Sequence, residues 1–271
     1  MRTFKLLIAY DGTDFVGWQR QPEGISIQGL LEEALTPFQD DPIALVGAGR
    51  TDAGVHAAGQ VASVSLASAI APADLQRALN ARLPPEVRVL EAGEAPPPFH
   101  ARFDARAKTY EYRILNGPVI GPFVHRYAWH VPAGLDLGRM AAAARAIEGT
   151  HDFNGFRSAG SQVRTSVRTM FESRIAAAPA PTADGAVPGA TAGAGRLILY
   201  RVTGTGFLRH MVRAIVGTLI EIGRGAAEPG LVERLLAGAP RTAAGPTAPA
   251  HGLCLAAVSY ADPPPTVAAH R

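Results

Sequence analysis

Asp52 stands in GAGRTDAGVHAAGQVA, residues 47–62, where an Arg50-Thr51-Asp52 triplet is set in a glycine-rich turn between two apolar runs. Ile43, Leu45 and Val46 lead in as a strand and Val61, Val64 and Leu66 lead out as another. The carboxylate is therefore expected on a connection, where reactive groups tend to be displayed. Gly47, Gly49, Gly54 and Gly59 would permit unusual backbone dihedrals and leave room for a ligand. The stretch reads either as the wall of a pocket or as a tight turn.

Gly47-Ala48-Gly49 after a strand invites a dinucleotide or phosphate loop, but the spacing refuses both. A dinucleotide fingerprint wants its third glycine where Asp52 stands, and no Gly-Lys-Ser/Thr follows for a phosphate loop. A carboxylate there would also repel a pyrophosphate. The eight histidines are scattered, with no i, i+4 pair and no cysteine beside them, so no metal site is expected. What remains is an aspartate able to act as a nucleophile, or a plain turn residue.

Two further segments bear on that choice. In GTGFLRHMVRAIVG, a helix read from Leu208 to Ile222 would put Arg209 and Arg213 on one face, with Leu208, Met211, Val212, Ile215 and Leu219 filling the core. An arginine aimed at a cleft would keep Asp52 ionised and oriented; the alternative is that both arginines are solvated or bond backbone carbonyls. In AKTYEYRI, Tyr110 and Tyr112 alternate with Thr109 and Glu111 and so share a strand face beside Lys108 and Arg113. Rings among cations hold unstacked bases, although paired strand tyrosines also serve as core packing. The stretch HDFNGFRSAGSQVRTSVR adds Phe153, Phe156, Arg157, Arg164 and Arg168, an interleaving suited to an RNA backbone.

The elements that must position these residues follow from periodicity. Phe4 to Tyr10 read as a strand, and Ser26 caps a helix with Ile27, Leu30, Leu31, Ala34 and Leu35 on one face. After the two strands around Asp52, a helix from Pro72 carries Leu75, Ala78, Leu79 and Leu83, and Val87, Val89 and Leu90 form a strand. The order strand, helix, strand, strand, helix, strand is the split ferredoxin-like pattern. It recurs after EAPPPFHARFDAR: strand 108–115, helix 137–147, strands 169–175 and 196–203, the helix bearing Arg213, and a last strand 253–260. The expectation is an α+β fold of two ferredoxin-like (βαββαβ) halves with antiparallel sheets and a central cleft, residues 1–105 and 106–262. Residues 176–195, AAAPAPTADGAVPGATAGAG, lack periodicity and large apolar groups and are expected as a flexible hairpin loop, with 263–271 a flexible tail.

At 271 residues, with 47% hydrophobic and 18% charged, the chain is read as a globular cytoplasmic protein. No stretch approaches the ~18 apolar residues of a membrane span, and the N-terminal apolar run is too short for a signal core. One cysteine, Cys254, excludes a disulfide framework and reads as a buried inert thiol. The net charge of +3 is uneven: residues 1–100 hold 7 basic against 12 acidic side chains, residues 101–271 hold 19 against 11. A surface for an anionic partner is thus expected mainly on the second half. Arginines outnumber lysines 24 to 2, which suits forked recognition of phosphates or reflects a composition rich in Ala, Gly and Arg.

Taken together, YDGTDFVGWQRQP, GAGRTDAGVHAAGQVA, AKTYEYRI, GTHDF, GTGFLRHMVRAIVGTLIEIGRG and HGLCLAAVSY occur in the order seen in the bacterial tRNA pseudouridine synthase A family, which the chain resembles over nearly its whole length. The resemblance implies a pseudouridine synthase core and an isomerase that converts uridine to pseudouridine at positions 38, 39 and 40 of the tRNA anticodon stem-loop. It also implies a homodimer without cofactor or metal. On that resemblance Asp52 matches the catalytic aspartate, Arg50 the arginine implicated in base flipping, Tyr110 the substrate-stacking tyrosine and Arg213 the arginine that pairs with the aspartate. Attack at the sugar, attack at uracil C6 and assisted bond cleavage all stay open. The rival readings are a non-catalytic RNA binder and an aspartyl phosphatase; the latter wants a second carboxylate two residues after Asp52, where Gly54 stands.

Overall fold

The computed structural model describes residues 1–96, 98–158, 164–178 and 195–261. In chain order the regular elements are β1 (Arg2–Tyr10), α1 (Ile27–Leu35), β2 (Val46–Gly47), β3 (His56–Leu66), α2 (Pro72–Arg82) and β4 (Val87–Glu94). They continue as β5 (Ala107–Asn116), β6 (Trp129–Val131), α3 (Leu137–Arg145), β7 (Gly149–Asp152), β8 (Val167–Ala177) and β9 (Arg196–Gly204). Last come α4 (Met211–Gly223), α5 (Leu231–Leu236) and β10 (Leu253–Ser259). The fold is mixed α+β with mostly antiparallel strand pairing. The chain divides into two units, one of residues 1–108 with 254–271, the other 109–253.

In the first unit β1 lies between β4 and β3, antiparallel to both. The other edge of β3 is shared: β2 pairs antiparallel with its second half at Ser63 and Ala62, and β10 pairs parallel with its start, Cys254 opposite His56 and Leu255 opposite Ala57. Alternation in β1 is strict: Phe4, Leu6 and Ile8 are fully buried, and so are Ile27, Leu31 and Leu35 of α1 and Leu75 and Leu79 of α2. That is the apolar stripe expected of helices laid on one sheet face. Ser26 caps α1 as its type predicts, its hydroxyl accepting from the Gly29 amide at 3.2 Å. On the opposite face Leu7 packs with Ala48, Val61 and Ala101.

In the second unit β9 lies between β5 and β8, β7 extends the edge beyond β8, and β6 pairs parallel with β5. β8 and β9 run antiparallel to the Ala177–Ile198 pair; the loop expected over 176–195 lies mostly outside the described residues, as does the expected tail. Along α4, Met211, Ala214, Ile215, Val216 and Leu219 are completely buried.

Several expectations need correction. The strand read from Ile43 shrinks to Val46–Gly47, and the helix read from Leu208 begins at Met211. β6, β7 and α5 are too short to show a period and do not emerge from the sequence. Cys254 is half-buried rather than buried.

Burial raises the phenol pKa values of Tyr10, Tyr112 and Tyr200 above the ordinary tyrosine value. Raised folded-state values mean that the stabilisation is complete below the unfolded pKa of about 10 and is lost as pH rises beyond it. Urea denaturation across pH 8–11.5 should therefore show stability falling above about pH 10, by up to ~1.4 kcal/mol per pH unit for each ring. A flat profile would contradict this burial.

Candidate active site

In the first unit Asp52 is half-exposed and Arg50 exposed, both on the connection between β2 and β3. The loop beneath them is pinned from below. The Gln60 side chain, fully buried, donates through Nε2 to the Gly49 carbonyl at 2.8 Å, and the Tyr10 hydroxyl meets Thr51 Oγ1 at 2.8 Å. Ala48 N–H bonds the Val61 carbonyl at 2.7 Å, and Val55 N–H closes the turn on the Asp52 carbonyl at 3.1 Å. The residues flanking Arg50 are thus tied to β1 and β3, which limits where Arg50 and Asp52 can go.

A second loop, YDGTDFVGW, embraces the first. Trp18 N–H donates to the Thr51 carbonyl at 3.1 Å, Gly54 N–H to the Phe15 carbonyl at 3.4 Å, and Gly12 N–H to His56 Nδ1 at 3.1 Å. Gly17 is required twice over: its φ is +106°, and a Cβ there would stand 2.6 Å from the Thr51 carbonyl oxygen. Tyr10, Phe15, Trp18 and Gln60 carry this support, and sequence reasoning missed all four; the pair of glycines flanking Phe15 was the available signal. Of the loop's own glycines only Gly54 has a left-handed φ, +75°. Gly47 and Gly59 make room for the protein itself, since a Cβ would meet the Trp18 ring at 2.4 Å or the Ala256 carbonyl oxygen at 2.5 Å.

Gln60→Leu should isolate this support. The Gly49 carbonyl, in a partly buried setting, would be left without that donor, a loss of about 1 kcal/mol. The urea midpoint should fall accordingly, and an unchanged midpoint would show that the bond contributes nothing.

In the second unit Tyr110 and Tyr112 both point inward, as their alternation predicts, but their surroundings differ. Tyr112 is core: it is completely buried, its hydroxyl donates to the Pro249 carbonyl at 2.8 Å, and Gly252 lies against its ring. Tyr110 retains 7% exposure and meets Phe207 edge-on, ring centroids 4.9 Å apart. Arg213 is half-buried in the first turn of α4; its Nε donates to the Ala248 carbonyl at 2.7 Å, and its own carbonyl accepts from Ala248 N–H at 3.0 Å. Part of its donor fork is therefore spent on backbone, the alternative raised from sequence.

Arg209 does not share a helix face with Arg213. His210 caps α4 with φ +59°, so the helix starts after it and Arg209 sits exposed on the approach. Among the described residues His210 is the one non-glycine with positive φ, and its Nδ1 bonds Ser158 Oγ at 2.9 Å. Phe153 and Phe156 are completely buried and contact each other at 6.3 Å between centroids, so they belong to the core and not to an RNA-facing row. Asp52 and Arg50 thus lie on the first unit, Tyr110 and Arg213 on the second.

The profile of the family described as tRNA pseudouridine synthase matches residues 6–104 and 143–261. A protein of Syntrophotalea carbinolica named tRNA pseudouridine synthase A is 44% identical over 96% of this chain and 97% of its own length. The protein of that name from Solibacter usitatus is 44% identical over 96% of this chain and 100% of its own length. The chain belongs to the tRNA pseudouridine synthase family. It is accordingly an isomerase acting on tRNA.

Proposed function

We propose that this enzyme converts uridine to pseudouridine at positions 38, 39 and 40 of the tRNA anticodon stem-loop, with Asp52 as nucleophile and with the target base flipped from the stem. The observation that carries the reading is the half-exposed carboxylate on a loop tied down on both sides of Arg50 by buried Gln60 and Tyr10. A carboxylate fixed in place before substrate arrives can attack without first paying for its own ordering.

A base inside a stem must leave it before its glycosidic bond is reachable. Arg50, exposed beside Asp52, is assigned to the displaced stem and Tyr110 to stacking on the flipped uracil. Arg213 matches the arginine that pairs with the aspartate, and that pairing is part of the proposal, as is a pair of ferredoxin-like halves with a central cleft. In the reaction the N1–C1′ bond breaks, the uracil turns, and a C5–C1′ bond forms; the C5 proton leaves and N1 takes one up. The atoms balance without oxidant, phosphate donor or other co-substrate. Attack at the sugar, attack at C6 and assisted cleavage each satisfy this scheme.

We further assign the enzyme to the cytoplasm as a homodimer. Among the described residues no helix is long and apolar enough to cross a membrane. Stacking is tested at Tyr110. Tyr110→Phe should retain much of the activity because the ring survives, whereas Tyr110→Leu should lose roughly 5- to 100-fold, the worth of one base–aromatic stack. Equal rates for the two variants would refute the role.

A further inference from the structure

The first half of the chain carries an excess of acid, yet a small cationic surface gathers beside the Asp52 loop. Residues 99–106 form a rigid knuckle. Ala101, fully buried, is anchored by its N–H to Ser63 Oγ at 3.1 Å and by its carbonyl to the Tyr260 hydroxyl at 2.7 Å. His100 Nδ1 accepts from the amides of Arg102 and Phe103, both at 3.2 Å, and Asp104 Oδ2 accepts from the His100 amide at 2.8 Å. These bonds lift Phe103 clear of the body: its ring is 75% exposed, stacked on the His100 imidazole at 4.1 Å between centroids, with the Arg102 guanidinium 5.8 Å from its centroid. Hydrophobic burial alone would not hold a phenylalanine in that position.

Lys108 completes the surface. Its stem packs on Gly49 of the carboxylate loop, where a Cβ would come within 3.2 Å of its Cε. Among the described residues neither Lys108 nor Arg102 has a carboxylate partner, whereas the other lysine, Lys5, lies 4.6 Å from the Tyr260 ring centroid. Burial, then the nearby Arg102 charge, lowers the Lys108 pKa. Two cations held close without an anion are mutually unfavourable, and a polyanion would relieve that.

We propose that Lys108 and Arg102 each contact a backbone phosphate of the bound tRNA beside the Asp52 loop, with Phe103 on its His100 support offering a stacking surface to an unpaired base. The proposal rests on the tRNA reading above. Phosphate contacts release counterions, so each one adds about 0.7–0.9 to the slope of log affinity against log salt.

Unmodified tRNA transcript is titrated with the full-length wild type and with Lys108→Met, Lys108→Arg and Arg102→Ala at several salt concentrations. Folding is checked by thermal melting, and Arg102, being exposed, tolerates truncation. Lys108→Met and Arg102→Ala should each lower the slope by about 0.7–0.9, and Lys108→Arg should keep it. Phe103→Ala should weaken binding roughly 5- to 100-fold. Slopes unchanged in both Lys108→Met and Arg102→Ala overturn the proposal while the tRNA reading stands. A wild type that neither binds nor modifies the transcript overturns that reading instead.

Discussion

Asp52→Ala should abolish pseudouridine formation, with turnover falling on the order of 10⁴-fold or more, the scale at which removal of a nucleophile acts, while tRNA affinity stays within about threefold. The two parts of this expectation have separate origins. The loop is held through Gly49, Thr51, Ala48 and Val55, and those bonds run to Gln60, Tyr10, Val61 and the Asp52 main chain. None of these bonds uses the Asp52 carboxylate, so all of them should survive its removal. Nor does a carboxylate help hold a polyanion, so binding has little to lose. Asp52→Asn keeps the size of the side chain and should be as inactive as the alanine variant. Turnover at the wild-type rate in either would remove Asp52 from the chemistry and favour a non-catalytic role for the loop.

Gly217→Ala is expected to give the largest loss of stability. Replacing glycine by alanine inside a helix ordinarily stabilises it by about 1 kcal/mol. Here the sign reverses, because a Cβ on Gly217 would lie 1.7 Å from the Pro246 carbonyl oxygen. The segment 245–248 is laid directly across α4: Gly245 N–H bonds Thr218 Oγ1 at 3.0 Å, and Ala248 exchanges bonds with Arg213 through its N–H and its carbonyl. An added methyl must push this segment off the helix, at a cost of about 3 kcal/mol. That predicts a melting temperature lower by roughly 6–12 °C for a chain of this size. The damage should reach Arg213, whose orientation depends on Ala248, so surviving folded protein should also turn over more slowly. A melting temperature within 2 °C of wild type would show that the segment is not seated as described.

Much of the frame was legible because its signals are periodic. Strict alternation in β1, the Ser26 cap with its stripe to Leu35, and Pro72 opening α2 all appear where the sequence places them. The position of Asp52 between two strands was legible for the same reason. The support under the loop was not, because it is made by side chains distant in sequence: Gln60 reaching back to Gly49, Tyr10 to Thr51, and Trp18 to the Thr51 carbonyl. A glutamine and a tyrosine within strand patterns look like any other polar strand residues. Nor does composition reveal that His210 adopts a left-handed conformation and delays α4 by a turn, separating Arg209 from Arg213. Phe153 and Phe156 misled because alternation with arginines in a loop resembles an RNA contact row, whereas tertiary packing buries both rings. Close approaches such as Gly217 to Pro246 are invisible until the backbone is folded.

The most direct test of the central claim uses unmodified tRNA transcripts carrying uracil tritiated at carbon 5, incubated with the purified enzyme in excess chelator. Formation of the C5–C1′ bond expels the label, so tritium should appear in water in proportion to pseudouridine mapped at positions 38, 39 and 40. Transcripts with cytidine at those three positions should yield none. No release from any transcript, or release mapped wholly outside the anticodon stem-loop, would contradict the account.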